Sequence, residues 1–218
     1  MPNLLSRFHN TLAQPLAPWS RLLLVALVIP LGLSFLQPLW SIRMFAPQYP
    51  AGLQLDIYTY TVVGGNEGRD LPEINILNHY IGMHKIDRGE LTDLDWIPFA
   101  LGALVLLTLR VAAIGEVRSL VDLAVLTFYF SMFSAGRFAF KLYTYGHNLD
   151  PHAPIHMDPF TPAILGTKQI ANFTTWSFPR GGTYLIGLFA SAVVLLTLWH
   201  LRNLVRPEAR AAATAPAT

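Results

Sequence analysis

The chain has no cysteine, and that absence removes disulfide frameworks, zinc–thiolate sites, iron–sulfur clusters and c-type haem attachment at once. Any metal must then be held by His, Met, Asp, Glu or backbone groups. Charge is also scarce: 13% of the 218 residues are Asp, Glu, Lys or Arg, against 53% hydrophobic. With a mean hydropathy of +0.41, this lies outside the usual balance of a soluble domain and reads as a polytopic membrane protein. The formal net charge is only +2 and no basic run with interleaved aromatics occurs, which sets nucleic-acid binding aside. Gly-rich phosphate loops, nucleophile elbows and zincin motifs are missing too, so the sequence assigns no reaction.

What is present is a set of long apolar runs. A hydrocarbon core of about 30 Å needs roughly 20 residues of helix, and four stretches qualify, at 21–40, 97–114, 120–140 and 184–201. The first lacks a small-residue cleavage site and is read as a retained helix, kinked by Pro30. Between them lie an N-tail (1–20), a long loop (41–96), a short turn (115–119), a second long loop (141–183) and a C-tail (202–218). The short turn and tails carry Arg7, Arg21, Arg118, Arg202, Arg206 and Arg210 with little acid, whereas basic residues in the long loops are offset by acids. By the positive-inside rule both termini face the cytoplasm and the long loops face outward. The expected fold class is an all-α membrane protein, four transmembrane helices with two extracytoplasmic loops forming a small mixed cap, in the bacterial cytoplasmic membrane.

Within the first loop, residues 53–63 alternate well enough to predict a strand ended by Gly64 and Gly65. Residues 71–86 suit a short helix opened by Pro72, which puts His79 and Met83 on one face unless Gly82 breaks it first. In the second loop, Pro151, Pro154, Pro159 and Pro162 disfavour a helix, while residues 164–176 read as a short interfacial helix anchored by Phe173 and Trp176.

Five of the seven histidines and two of the five methionines fall in two outer segments, 78–84 and 147–158. Imidazole and thioether sulfur together, without thiolate, suit copper, and Met softens a site toward Cu(I). The candidate ligands are His79, Met83, His84, His147, His152, His156 and Met157, with Asp150 and Asp158 as acceptors for imidazole N–H groups. A plainer reading runs beside this one: His, Tyr and Trp are common near a membrane interface as amphipathic surface groups. No fixed ligand spacing is matched. Haem would more naturally use histidines within the spans, and His200 lies at the inner end of the fourth. Asp122 and Arg137 lie in the third span about 22 Å apart along the axis, too far to pair with each other.

Ala46-Pro47-Gln48-Tyr49-Pro50, Asn75-Ile76-Leu77-Asn78-His79-Tyr80-Ile81-Gly82-Met83 and Pro159-Phe160-Thr161-Pro162 resemble a family of bacterial multi-pass membrane proteins. These are similar to proteins that accompany periplasmic copper-handling and nitrous-oxide-reductase maturation components. The resemblance extends over most of the chain. It highlights His79 and Met83 and implies no defined activity; the remaining ligand candidates rest on side-chain chemistry alone. The expected function is a membrane-anchored copper-binding or copper-handling accessory protein, partnered by the lipid bilayer and by other membrane subunits or a periplasmic copper protein. The alternative is a structural or assembly subunit of a larger membrane complex with no metal of its own. A haem- or quinone-linked redox subunit is a weaker third.

Overall fold

The computed structural model describes residues 4–170 and 172–202. After a short helix α1 (Leu4–Leu12), four helices are long and apolar enough to cross a membrane: α2 (Pro18–Leu33, extended by a single 3-10 turn to Leu36), α4 (Asp93–Ile114), α5 (Val117–His147) and α6 (Gly181–Leu201). Lipid association of these helices follows from their length and composition. The outer segments hold strands β1 (Trp40–Ala46), β2 (Tyr49–Ile57), β3 (Val62–Gly64), β4 (Gly166–Ile170) and β5 (Phe173–Pro179), with helix α3 (Asp70–Tyr80) between β3 and α4.

The strands form one antiparallel sheet in the order β3-β2-β1-β5-β4, and this overturns the all-α expectation. The chain is a mixed α/β protein in which a sheet built from both outer segments sits on a helical bundle. Three local readings change with it. The run 164–176 is not an interfacial helix but much of a β-hairpin, pairing Gly166 with Ser177 and Ile170 with Phe173; Thr174, Thr175 and the aromatics around them fit a pleated surface better than a helix. The first apolar run stops at Leu36, and Trp40 already belongs to β1, opposite both Ile57 and Pro179. The run 53–63 is split by a turn in which the Tyr58 N–H donates to the Thr61 carbonyl at 2.8 Å.

The bundle core lies toward the end of the helices remote from the sheet. Leu24, Leu27 and Leu31 of α2, Leu101, Leu104 and Val111 of α4, Leu120 and Leu123 of α5, and Phe189, Val193 and Leu196 of α6 are all buried there. Helices α4 and α6 each pack on both α2 and α5, so α2 and α5 take opposite corners. A 3.6-residue period presents one stripe of each helix inward and leaves Leu22, Leu106, Phe128 and Leu195 outward, as lipid requires. Gly115 closes α4 in the left-handed region at φ +72°. Arg21 donates from Nε to Ala112 O and from Nη2 to Ala113 O, both at 2.7 Å, which satisfies carbonyls that the helix end leaves unpaired. The Leu16 N–H donates to Gly115 O and the Val117 N–H to Gln14 O, so the N-terminal segment and the α4–α5 turn lie together at the end away from the sheet.

At the other end, β1 continues from α2 and β5 leads into α6. The Arg180 N–H donates to Leu39 O and the Gly182 N–H to Pro38 O, both at 2.9 Å. Leu53 and Leu55 of β2 point to one face, as the period of two demands, and pack with Ile74 of α3 and Leu94 of α4. Buried Asp70, in the first turn of α3, accepts from the Gln54 N–H and the Asn66 side-chain amide at 2.8 Å each, joining α3 to the strands. Arg137 of α5 forms a two-pronged ion pair with Asp93 at the start of α4, at 2.9 and 3.1 Å. Asp122 is exposed on the outer surface of α5.

Candidate functional site

Helix α3 ends at Tyr80, five residues after Asn75 and before the predicted helix is complete, because Gly82 adopts φ +78°. Two contacts then fix the chain beyond it. The Met83 N–H donates to Asn78 O at 2.8 Å, and the Asn75 side chain clamps Ile86 by donating to its carbonyl (2.9 Å) and accepting from its N–H (2.7 Å). Residues 81–86 are thereby held as a fixed bend.

The second outer segment docks on that bend. The Asp150 N–H donates to Gly82 O at 2.8 Å, the Ile155 N–H to Tyr80 O at 2.9 Å, and the Tyr145 hydroxyl to Lys85 O at 3.2 Å. The convergence of the two segments, expected from a helical hairpin that returns the chain to one side of the membrane, is present in these bonds. It creates an open pocket of about 450 Å³ lined by His79, Gly82, Met83, His84, Asn148, Leu149 and Asp150.

Three of the seven candidate ligands, His79, Met83 and His84, therefore line one pocket together with Asp150, and Met83 also lines an apolar cavity beside it. They meet because the bend at Gly82 brings residues 79, 83 and 84 round, not because they share a helical face. The other four do not line this pocket. His147 stacks on Tyr143 at a centroid distance of 3.7 Å and donates from Nδ1 to Tyr143 O at 2.9 Å. His152 is exposed, with Nδ1 3.3 Å from Asp150 Oδ1. His156 is exposed and Met157 half-buried on the proline-rich segment. Hydrogen bonding by the His152 backbone N–H, at 2.8 Å, holds the Asp150 carboxyl below the usual carboxylate range, against a small opposing effect of desolvation and helped by the His152 and His79 rings. Asp150 is accordingly ionised at neutral pH.

No family model matches the chain, and no curated protein or solved structure matches it either. The site must be judged on its own donors.

Among the described residues, no group of three or more His, Asp or Glu side chains is placed to hold a metal ion. A site made only of imidazole and carboxylate is thus not formed. The donor set at the pocket is two imidazoles and a thioether, with one carboxylate nearby, and a third metal contact would have to come from Met83. That composition fits soft Cu(I) better than zinc or Cu(II). Asn75, Asn78 and Gly82, which shape the pocket, carry no metal-ligand chemistry. Their role was hidden in a sequence where only the motif around His79 marked the region.

Proposed function

We propose that the chain is a multi-pass protein of the bacterial cytoplasmic membrane whose outer cap binds Cu(I) through His79, Met83 and His84 and serves in copper handling. The observation that supports this reading is the pocket that His79, Met83 and His84 line together with Asp150. The copper ion supplies nothing beyond its own ligand exchange. The chain supplies a rigid bend, an open mouth through which a donor or acceptor protein reaches the ion, and a carboxylate that favours a cation. His147, His152, His156 and Met157 belong to the pocket's approach in this reading rather than to its ligand set. The long loops face the periplasm, where a copper protein is the natural partner, and residues 1–20 and 115–119 face the cytoplasm.

The test is copper loading of the purified protein under reducing conditions. One Cu(I) per chain is expected, lost on combined His79→Ala and His84→Ala substitution, with helical content unchanged by circular dichroism. Full stoichiometry in that double variant, or no copper in the wild type, overturns the reading.

A second reading has its own observation. In α5 only 17% of the most apolar window is buried, against 28–33% in the other three long helices, and Phe128, Tyr129, Met132, Phe133 and Phe140 are exposed along it. A helix with this uncovered aromatic surface suits packing against another membrane subunit. A larger complex on native gels of gently solubilised membranes, dissociated by Phe128→Ala with Met132→Ala, is the outcome that this assembly role requires.

A further inference from the structure

The bundle and the sheet do not close on each other. A cavity of about 480 Å³ opens between the inner face of the sheet and the sheet-proximal ends of α4, α5 and α6. That size lies within the roughly 300–1,000 Å³ of small-molecule sites. Its walls are apolar: Trp40 and Leu55 from the sheet, Leu94 and Ile97 from α4, Phe138 from α5 and Ile186 from α6 are representative.

The charged groups are unevenly placed. Asp93, Arg137 and Lys141 all come from the α4–α5 side, where Arg137 pairs with Asp93 and Lys141 Nζ donates to Glu90 O at 2.8 Å. Arg137 and Lys141 offer donors on this side, with the Asp93 carboxylate and, near Tyr145, those of Glu90 and Asp87 close by. Ser134, also a lining residue, has a buried hydroxyl with no hydrogen-bond partner, an omission that costs free energy unless something else meets it. The α6 side offers Ile186, Gly187 and Ala190, with the Thr183 hydroxyl committed to the Leu39 carbonyl.

Between α5 and α6 the wall is made of small residues. Ala135 and Gly187 line the cavity and are both exposed, and a Cβ added to Gly187 would meet no atom within 4 Å. Gly187 lies six residues into α6, about 9 Å along its axis, so the gap opens below the sheet, at the level of the apolar helix surface rather than in the aqueous cap. Water entering an apolar cavity of this kind finds too few partners, whereas a hydrocarbon chain entering from the bilayer finds apolar walls.

We infer that the cavity is a binding site for a long-chain amphiphile, whose acyl or prenyl tail enters between Ala135 and Gly187 and whose hydrogen-bond-accepting head, a phosphate or a carbonyl, lies against Arg137, Lys141 and Ser134. This site is separate from the histidine pocket and does not depend on copper. A bilayer phospholipid and a membrane quinone share the required chemistry, an apolar tail joined to acceptor oxygens.

The experiment is extraction of the protein in native membrane discs, followed by mass spectrometry of what remains bound after transfer to detergent. A retained amphiphile, near one per chain, is expected for the wild type, with the extract showing whether it is phospholipid or quinone. Gly187→Phe should lose it, since the added ring has open space at this position and crowds the cavity wall; Ala135→Trp, from the opposite helix, should do the same if the first variant folds poorly. Arg137→Gln should reduce retention of a phosphate-headed ligand more than of a quinone. Absence of any retained amphiphile in the wild type, or equal retention in well-folded Gly187→Phe and Ala135→Trp, overturns the inference.

Discussion

Gly82 is the residue on which the histidine pocket turns. Its φ of +78° is rarely open to a side chain, and a Cβ there would lie 2.9 Å from both the backbone N and O of Asp150. The second contact matters more than the first, because the Asp150 backbone is held to Gly82 O and has little freedom to retreat. Gly82→Ala should therefore cost about 1–3 kcal/mol, and, more tellingly, part the two outer segments. The expected result is loss of Cu(I) binding with the long helices intact, checked by copper titration beside circular dichroism. Asp150 supplies a sign for pH dependence. Its pKa is depressed in the folded protein by the His152 N–H, so its contribution is present above the unfolded value near 3.9 and is lost only as pH falls through the lower folded value. Protonation of Asp150 therefore does not weaken Cu(I) binding between pH 7 and pH 5. Asp150→Asn, whose side-chain carbonyl still accepts from the His152 N–H, should lower affinity at every pH in this range without changing the slope. A slope that flattens in Asp150→Asn would show that the carboxylate itself titrates in this range, against its lowered pKa.

Among the elements, the four long helices were legible in the sequence, because some 20 apolar residues in a row have few other uses. Their ends were less so. Helix α5 continues to His147, seven residues past the expected limit, since Lys141, Tyr143 and Thr144 are compatible with a helix that leaves the bilayer and enters the cap. The sheet was hardly legible. Strand β5 buries Thr175 and Ser177 and exposes Trp176 and Phe178, the reverse of the apolar-in pattern that announces a strand, because its inner neighbours use hydroxyls: Ser177 accepts from Trp40 Nε1 at 2.7 Å and donates to Ile164 O at 3.0 Å. Strand β1 follows an apolar helix so closely that its residues read as the end of that helix. Of the site, the sequence showed the donors but not their grouping, which depends on Gly82 and Asn75. At this scale the clearest test is the cap of α4. Arg21→Ala removes both bonds to Ala112 O and Ala113 O and should lower stability by about 1–3 kcal/mol. Arg21→Lys should recover only part of it, because an ammonium lacks the fork that reaches two carbonyls. Thermal unfolding in one detergent compares the three proteins, and a full recovery by lysine would mean that charge alone, not geometry, closes this helix.

For the molecule as a whole, the decisive asymmetry is that, among the described residues, the strands gather at one end. The sheet, α3 and the histidine pocket lie there, whereas the opposite end holds the α4–α5 turn, bound to the N-terminal segment through the Leu16–Gly115 and Val117–Gln14 hydrogen bonds. The relative placement of these two ends is fixed by the fold; which faces the cytoplasm is set by charge. Arg21 and Arg118 flank the short turn, and Arg110 lies one turn of α4 before it. Charges this close to helix ends govern insertion, while long folded segments cross largely regardless of their own charge. Reporter fusions at Asn66 and Pro159 should accordingly behave as extracytoplasmic and a fusion at Glu116 as cytoplasmic; a further fusion at Ala211, expected to be cytoplasmic, lies outside the described residues. Replacing Arg110 and Arg118 together with Gln should weaken that preference and yield a mixed population at Glu116, while Arg21→Gln alone should not, since two positive residues remain beside the turn. An extracytoplasmic signal at Glu116 in the unaltered chain would place the histidine pocket in the cytoplasm, where a copper-delivering partner in the periplasm has no access to it, and the copper-handling role would fall with the orientation.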